Sequence, residues 1–193
     1  MSEDDNTVNI KTENRRYHHG DLRAALIEAG LEELQTKAPE EVSLREIARK
    51  AGVSATAVYR HFPDKAALLG ALCLIGGEQM SAAFREAMSG ASNPKEAFEA
   101  MGCAYVRFAL ANPSLFRMLM THKLEEGTPW NARLGALNKA LSGILPENAS
   151  EDQRWVRQLQ AWALVHGLAM LMLDGQVPAD EALIDRAVRA YFV

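Results

Sequence analysis

Apolar residues recur along this chain at intervals of three and four, and two-residue alternation is nowhere sustained. Leu22, Leu26, Ala29 and Leu34 fall near one face of a predicted helix over 21–38, which Pro39 ends. Leu44, Ile47, Ala48 and Ala51 form the buried stripe of a second helix over 43–51, opened by Ser43 and Glu46 at capping-box spacing. Gly52 breaks it, and Val53-Ser54 starts a short helix running to Phe62. Pro63-Asp64 caps a long helix from Lys65 to about Met88. Asn93-Pro94 opens the next, to about Ala111, and Asn112-Pro113 opens one ending near His122. The pattern then predicts helices over 130–145, 151–173 (closed by Asp174-Gly175) and 180–191. The chain reads as all-α, with about nine helices and no repeat or low-complexity tract.

Residues 43–62 have helix-turn-helix spacing. Ala48 is small where two helices would come nearest, and Gly52 can take the left-handed conformation of a sharp turn. Val58 fills the angle between them, with Ile47 and Phe62 beside it. This leaves Ala55, Thr56, Tyr59 and Arg60 outward on the second helix. Such a helix enters the DNA major groove with its first residues at base edges. Ala55 and Ala57 permit close approach, and Thr56 offers a methyl or a hydroxyl to a base. Tyr59, Arg60 and His61 lie later and suit phosphates, which fix position without reading sequence. Lys65 sits in the first turn of a helix, where the dipole disfavours cations, so a phosphate bound there would compensate it. Arg15 and Arg16 precede the first helix as an arm able to reach backbone or minor groove.

Composition qualifies this picture. The chain of 193 residues is 48% hydrophobic and carries a net charge of −4, so no global basic field marks a polyanion binder. Within 43–65, however, Arg45, Arg49, Lys50, Arg60 and Lys65 face only Glu46 and Asp64, a local charge of +3 against −7 elsewhere. Singly these are ordinary solvated charges; as a set on a helix-turn-helix they point to DNA. Cys73 and Cys103 sit in apolar helical patterns without metal or disulfide spacing, which fits core packing in a reducing cytoplasm. The polar N-terminus has no secretory h-region and reads as a disordered arm over 1–14. The longest apolar run, Ala161–Leu173, is shorter than the ~20 residues of a membrane span.

GDLRAALIEAG followed by SLREIARKAGVSATAVYRHFPDKAALLGAL resembles the DNA-binding domain of TetR/AcrR transcriptional regulators, over about Arg16–Leu72. The ending Tyr59-Arg60-His61-Phe62 with Lys65 is the most specific part. The resemblance implies an all-α homodimer, usually a repressor that leaves its operator when a small molecule binds a larger C-terminal domain. It also implies phosphate contacts for Ser43, Tyr59, His61 and Lys65, and places Ser54, Ala55 and Thr56 toward the bases. The domains expected are a helix-turn-helix unit over 15–65 and an effector-binding, dimerising bundle over 66–193.

NPSLFRMLM and AWALVHGLAM resemble the C-terminal domain type named for Trp-His-Gly, here Trp162, His166 and Gly167. Periodicity adds an independent reading. Trp155, Leu159, Trp162 and His166 share one face of the helix over 151–173, while Leu164, Leu168 and Leu171 occupy another, so both sides need burial. A two-fold dimer through the last two long helices supplies it, with Gly167 allowing close contact and Leu183, Ala187 and Ala190 contributing. Effector candidates are Phe98, Met101, Tyr105 and Phe108 on one helix, Phe116 and Met120 on the next, then His122, Trp130 and Leu134, with Trp162 and His166. For any one of these, plain core packing is the simpler reading; Tyr105, His122, Trp130 and His166 have polar handles that can orient a small apolar or amphipathic ligand.

No Ser-His-Asp order, glycine-rich phosphate loop, metal cluster or paired carboxylate stands out, so neither an enzyme nor a cofactor is expected. Two other readings use the same features. A helical partner-binding protein would turn the basic corner on an acidic protein, and an activator of the same fold would bind DNA as a repressor does.

Overall fold

In a computed structural model of the chain, the structure describes residues 22–121 and 148–190. In chain order, the helices are α1 (Leu22–Leu34), α2 (Leu44–Lys50), α3 (Ala55–His61), α4 (Lys65–Met88), α5 (Pro94–Ala111), α6 (Pro113–Thr121), α7 (Glu151–Leu173) and α8 (Glu181–Arg189). A 3-10 turn at Pro39–Glu41 joins α1 to α2. Among the described residues there is no strand, and the fold is all-α. The helix expected over 130–145 and the N-terminal arm lie outside the described residues.

Local chemistry sets most boundaries. Asp64, Asn93 and Asp180 each cap a helix by accepting from the amide three residues on, at 2.8, 2.9 and 2.7 Å. Ser150 and Gln153 form a reciprocal capping box at the start of α7. Two expectations fail. The first helix stops at Leu34 rather than near Ala38, because its last turn tightens to three-residue bonds, Gln35 N to Glu32 O and Thr36 N to Glu33 O. Ser43 holds the N-cap position of α2 without a side-chain bond to the helix amides. Its expected capping partner, Glu46, bonds Lys37 Nζ at 2.7 Å instead.

The α2–α3 corner closes as the sequence required. Gly52 has φ +68°, and the amides of Gly52 and Val53 return to the carbonyls of Arg49 and Ala48 at 3.2 and 2.9 Å. No atom lies within 4 Å of where a Cβ would stand on Gly52, so backbone conformation alone selects glycine there. Val58, Ile47 and Phe62 are buried at the crossing.

α5 is central to the remainder, packing on α4, α6, α7 and α8. α4 links the regions, touching α1 as well as α5 and α6. By length and composition α4 would span a membrane, with mean hydropathy 1.4 over 18 residues, a feature the apolar run 161–173 had overshadowed. Its apolar length is spent inside the bundle, where Leu68, Leu72, Cys73 and Met80 are buried. Gly76 permits the α4–α6 contact: a Cβ there would stand 2.6 Å from Leu115 Cδ1.

Candidate functional site

Two features of the fold carry chemistry. The first is the outer face of α3. Ser54 caps it through Ala57 N at 3.2 Å. With Val58 fully buried beneath, Ser54, Ala55, Thr56, Tyr59, Arg60 and His61 are exposed together, Tyr59 by 50%. The Tyr59 ring is therefore not part of the core that anchors the other face of the helix. Arg23 of α1 lies over the Phe62 ring, 5.4 Å from its centroid.

The charges around this face are sorted by ion pairing. Glu33 of α1 is buried and holds Lys50 of α2 at 2.8 Å and also Lys37. The bonds from Lys37 and Lys50 hold the Glu33 carboxyl below its ordinary range, against the cost of burial. Lys50 therefore faces α1, and it leaves the basic set expected from the sequence. Glu46 is likewise taken by Lys37, so the local excess of positive charge persists. Among the described residues, no ion pair involves Arg45, Arg49 or Arg60. Lys65 is half-buried and donates to the Glu40 carbonyl in the 3-10 turn at 2.5 Å, which fixes where its ammonium stands. Glu33, Lys37 and Glu40 are absent from the sequence reading: the Glu33–Lys37 pair has local i,i+4 spacing, but Lys50, Glu46 and Lys65, which these residues also meet, come from other elements. Arg15 and Arg16 lie outside the described residues.

The second feature is a polar knot in an aromatic core. The Tyr105 hydroxyl receives Trp162 Nε1 at 3.2 Å and lies 3.0 Å from His166 Nδ1 and 3.4 Å from Met120 Sδ. Phe116 meets Tyr105 edge-on at 5.4 Å between centroids and lies 5.8 Å from His166. Phe84 of α4, which the sequence reading passed over, stacks on Tyr105 at 6.3 Å; its only sequence signal is its four-residue spacing from Met80. Burial pushes the Tyr105 hydroxyl up to about 12 and lowers His166 from 6.5, so both are neutral near pH 7. Phe98, Met101 and Phe108 are buried on the same helix as Tyr105. Of the effector candidates, the structure thus gathers Tyr105, Phe116, Met120, Trp162 and His166 from α5, α6 and α7. His122, Trp130 and Leu134 lie outside the described residues.

Cys73 and Cys103 are buried and form no disulfide among the described residues. Burial and the neighbouring Asp185 push the Cys103 thiol up to about 11, the opposite of a reactive thiolate.

Of the dimer candidates, Leu171 and Ala190 are exposed, and Leu164, Gly167, Leu168, Leu183 and Ala187 are half-buried. Leu168 and Leu183 pack on the core. α7 buries Gln158, Ala161, Ala169 and Met172 and exposes Trp155, Val156, Leu159, Trp162 and Leu171. At 3.6 residues per turn, the two stripes read from the sequence flank a middle line of Val156, Ala163 and Gly167. Among the described residues, no atom beyond Gly167's own helix turn lies within 4 Å of a Cβ built on it.

A short helix pair with an exposed second helix, joined to a larger helical bundle, is the architecture of a helix-turn-helix protein. Residues 26–72 match the family described as bacterial regulatory proteins, tetR family, and residues 98–191 match the tetracyclin repressor-like C-terminal domain. The chain belongs to the TetR family. A protein of unknown function from Rhodococcus sp. RHA1 shares 30% identity, covering 92% of this chain and 96% of that one, with TM-score 0.77. A TetR-family transcriptional regulator from Streptomyces coelicolor shares 24% identity over 89% of this chain and 80% of that one, with TM-score 0.68. A TetR-family regulator from Marinobacter aquaeolei VT8 shares 19% identity, covering 89% and 94%, with TM-score 0.66. In the last two the likeness is one of fold. No curated protein matches the sequence.

Proposed function

We propose that this protein is a cytoplasmic, homodimeric repressor that leaves a roughly palindromic operator when a small apolar or amphipathic molecule binds the C-terminal bundle. The exposed face of α3 over a buried Val58 carries the DNA reading. Ser54, Ala55 and Thr56 stand at the base edges, and Ser43, Tyr59, Arg60, His61 and Lys65 hold phosphates, with Arg15 and Arg16 reaching the duplex from the arm. The helix-turn-helix unit ends near Lys65, and the bundle beyond it binds effector and partner.

The dimer reading rests on the exposed apolar line of α7 and on the open space beside Gly167. A glycine in a helix interior costs about 1 kcal/mol relative to alanine, and no contact among the described residues accounts for it. A second copy packed there would.

The effector reading rests on the knot at Tyr105. An amphipathic ligand that competes for its hydroxyl displaces Met120 or Phe116, and both belong to α6. α6 also touches α1 and the 3-10 turn, whose Glu40 carbonyl holds Lys65. Displacement of α6 is thereby coupled to the posture of the DNA-binding corner.

The test is a fluorescence-anisotropy titration of the protein against DNA flanking its own gene, with an unrelated duplex beside it. Selective binding with a log–log salt slope near −0.9 per phosphate neutralised is expected. A shallow slope and equal binding to both duplexes would sink the reading.

A further inference from the structure

A cleft of about 440 Å³ lies between the C-terminal end of α4, α5 from Glu96 to Arg107, and α8; neither the α3 face nor Tyr105 lines it. One wall is made of small residues, Ala87, Ala91 and Ala100, and the other bears charge. Most of that charge is committed. The Glu96 carboxylate accepts from Ser92 N at 2.8 Å, closing the start of α5. Arg107 holds Glu181 at 2.7 Å and Asp185 at 3.0 Å.

Two groups are less tightly held. Glu99 is 9% exposed, and its ion-pair partner among the described residues, Lys95, stands 3.9 Å away, beyond hydrogen-bond reach. A ligand that brings donors to this carboxylate adds charge-assisted hydrogen bonds that the ion pair does not supply. Arg189 is exposed on α8, and no ion pair holds it among the described residues. It lines the same cleft.

We infer that this cleft binds a small zwitterion of the amino-acid class, its ammonium on Glu99 and its carboxylate on Arg189. One loosely paired anion on α5 and one cation on α8 without an ion pair among the described residues fix the polarity of the ligand. The small-residue wall leaves room for a short aliphatic chain between its charged ends. The volume falls within the range of small-molecule sites, roughly 300–1,000 Å³. The inference does not depend on the DNA or effector reading.

The full-length protein is titrated calorimetrically with ω-amino acids from glycine to 6-aminohexanoate. The n-alkylamine and the carboxylic acid of matching chain length serve as half-molecules. One member of the series is expected to bind saturably, one per chain, with each half-molecule at least about ten-fold weaker. Glu99→Gln and Arg189→Gln should each weaken it about ten-fold, and Ala87→Leu should abolish it by filling the cleft while leaving both charges. Arg189 is exposed, so its variant keeps the test intact should Glu99→Gln fail to fold. No saturable heat up to about 10 mM, the weak end of ligand affinity, overturns the inference. So does binding equal to that of the half-molecules, or binding that survives Arg189→Gln and Ala87→Leu.

Discussion

The Tyr105 hydroxyl on α5 and the Trp162 indole on α7 meet at 3.2 Å, with Nε1 donating. That hydroxyl has one proton to give, yet it also lies against His166 Nδ1 and Met120 Sδ, and sulfur can only accept. All three contacts are hydrogen bonds when His166 carries its proton on Nδ1 and donates to Tyr105, whose own proton goes to Met120. Tyr105→Phe removes the acceptor for two donors at once. It is expected to cost about 1–3 kcal/mol in urea unfolding, the range for stranding buried polar groups. Trp162→Phe should cost less, because the indole is 37% exposed and water satisfies part of what is lost.

The same knot sets a pH response. Burial lowers the His166 pKa in the folded chain, so the unfolded chain binds the extra proton first. The stability involved is fully present above the ordinary value of 6.5 and declines as pH falls below it, levelling once the folded-state value is passed. Denaturant midpoints between pH 7.5 and about 5 should show this decline in the parent chain. A decline of the same size in His166→Gln would assign it to another group.

Glu33 answers to a lower pH. Its folded pKa is depressed by Lys37 and Lys50, so its contribution is present above the ordinary 4.5 and lost as pH falls through the folded value. Glu33→Gln takes one carboxylate from two ammonium groups that are each about one-third exposed, while Lys37 keeps Glu46 and Lys50 keeps the more distant Glu32. The expected loss at pH 7 is therefore about 1–2 kcal/mol rather than the larger cost of a fully buried pair. The variant should also lose part of the parent's acid sensitivity below pH 4.5, read from unfolding curves at pH 7 and about 4.

The contrast between Asp64 and Ser43 shows what the sequence made legible. Asp64, Asn93 and Asp180 cap helices with their own neighbours, so the start of each could be read from a few residues. Ser43 and Glu46 have equally good local spacing, but Lys37 comes from another element and takes Glu46. Lys50 was lost from the basic set for the same reason, drawn to Glu33 across the α1–α2 contact. Tyr105 and His166 were legible as buried residues with polar handles. That their polar atoms meet at 3.0 Å depends on how α7 lies on α5, which no short spacing encodes. Phe84 joined the cluster unannounced through the same tertiary geometry.

On DNA, Thr56 and Lys65 should separate two kinds of contact. Thr56 is exposed at the front of α3, so Thr56→Ala should alter relative preference among operator variants by about 1–3 kcal/mol at one base position. Lys65→Met should weaken binding to all sequences alike and reduce the salt slope by about one phosphate. A Lys65 effect that differs between operators would give it a reading role, and a uniform Thr56 effect would move that residue away from the bases.

Gly167 gives the dimer a test by sign. A Cβ added there meets nothing among the described residues, so in a monomer Gly167→Ala should only gain helix propensity, up to about 1 kcal/mol. If a second copy packs on the line of Val156, Ala163 and Gly167, the added methyl intrudes on it and association weakens while the isolated fold strengthens. Gly167→Arg takes this further, placing a charge on the seam and leaving the chain's own core untouched. Sedimentation equilibrium should show a dimer for the parent, a weaker dimer for Gly167→Ala and a folded monomer for Gly167→Arg. Full-strength dimers in both variants would move the seam off α7.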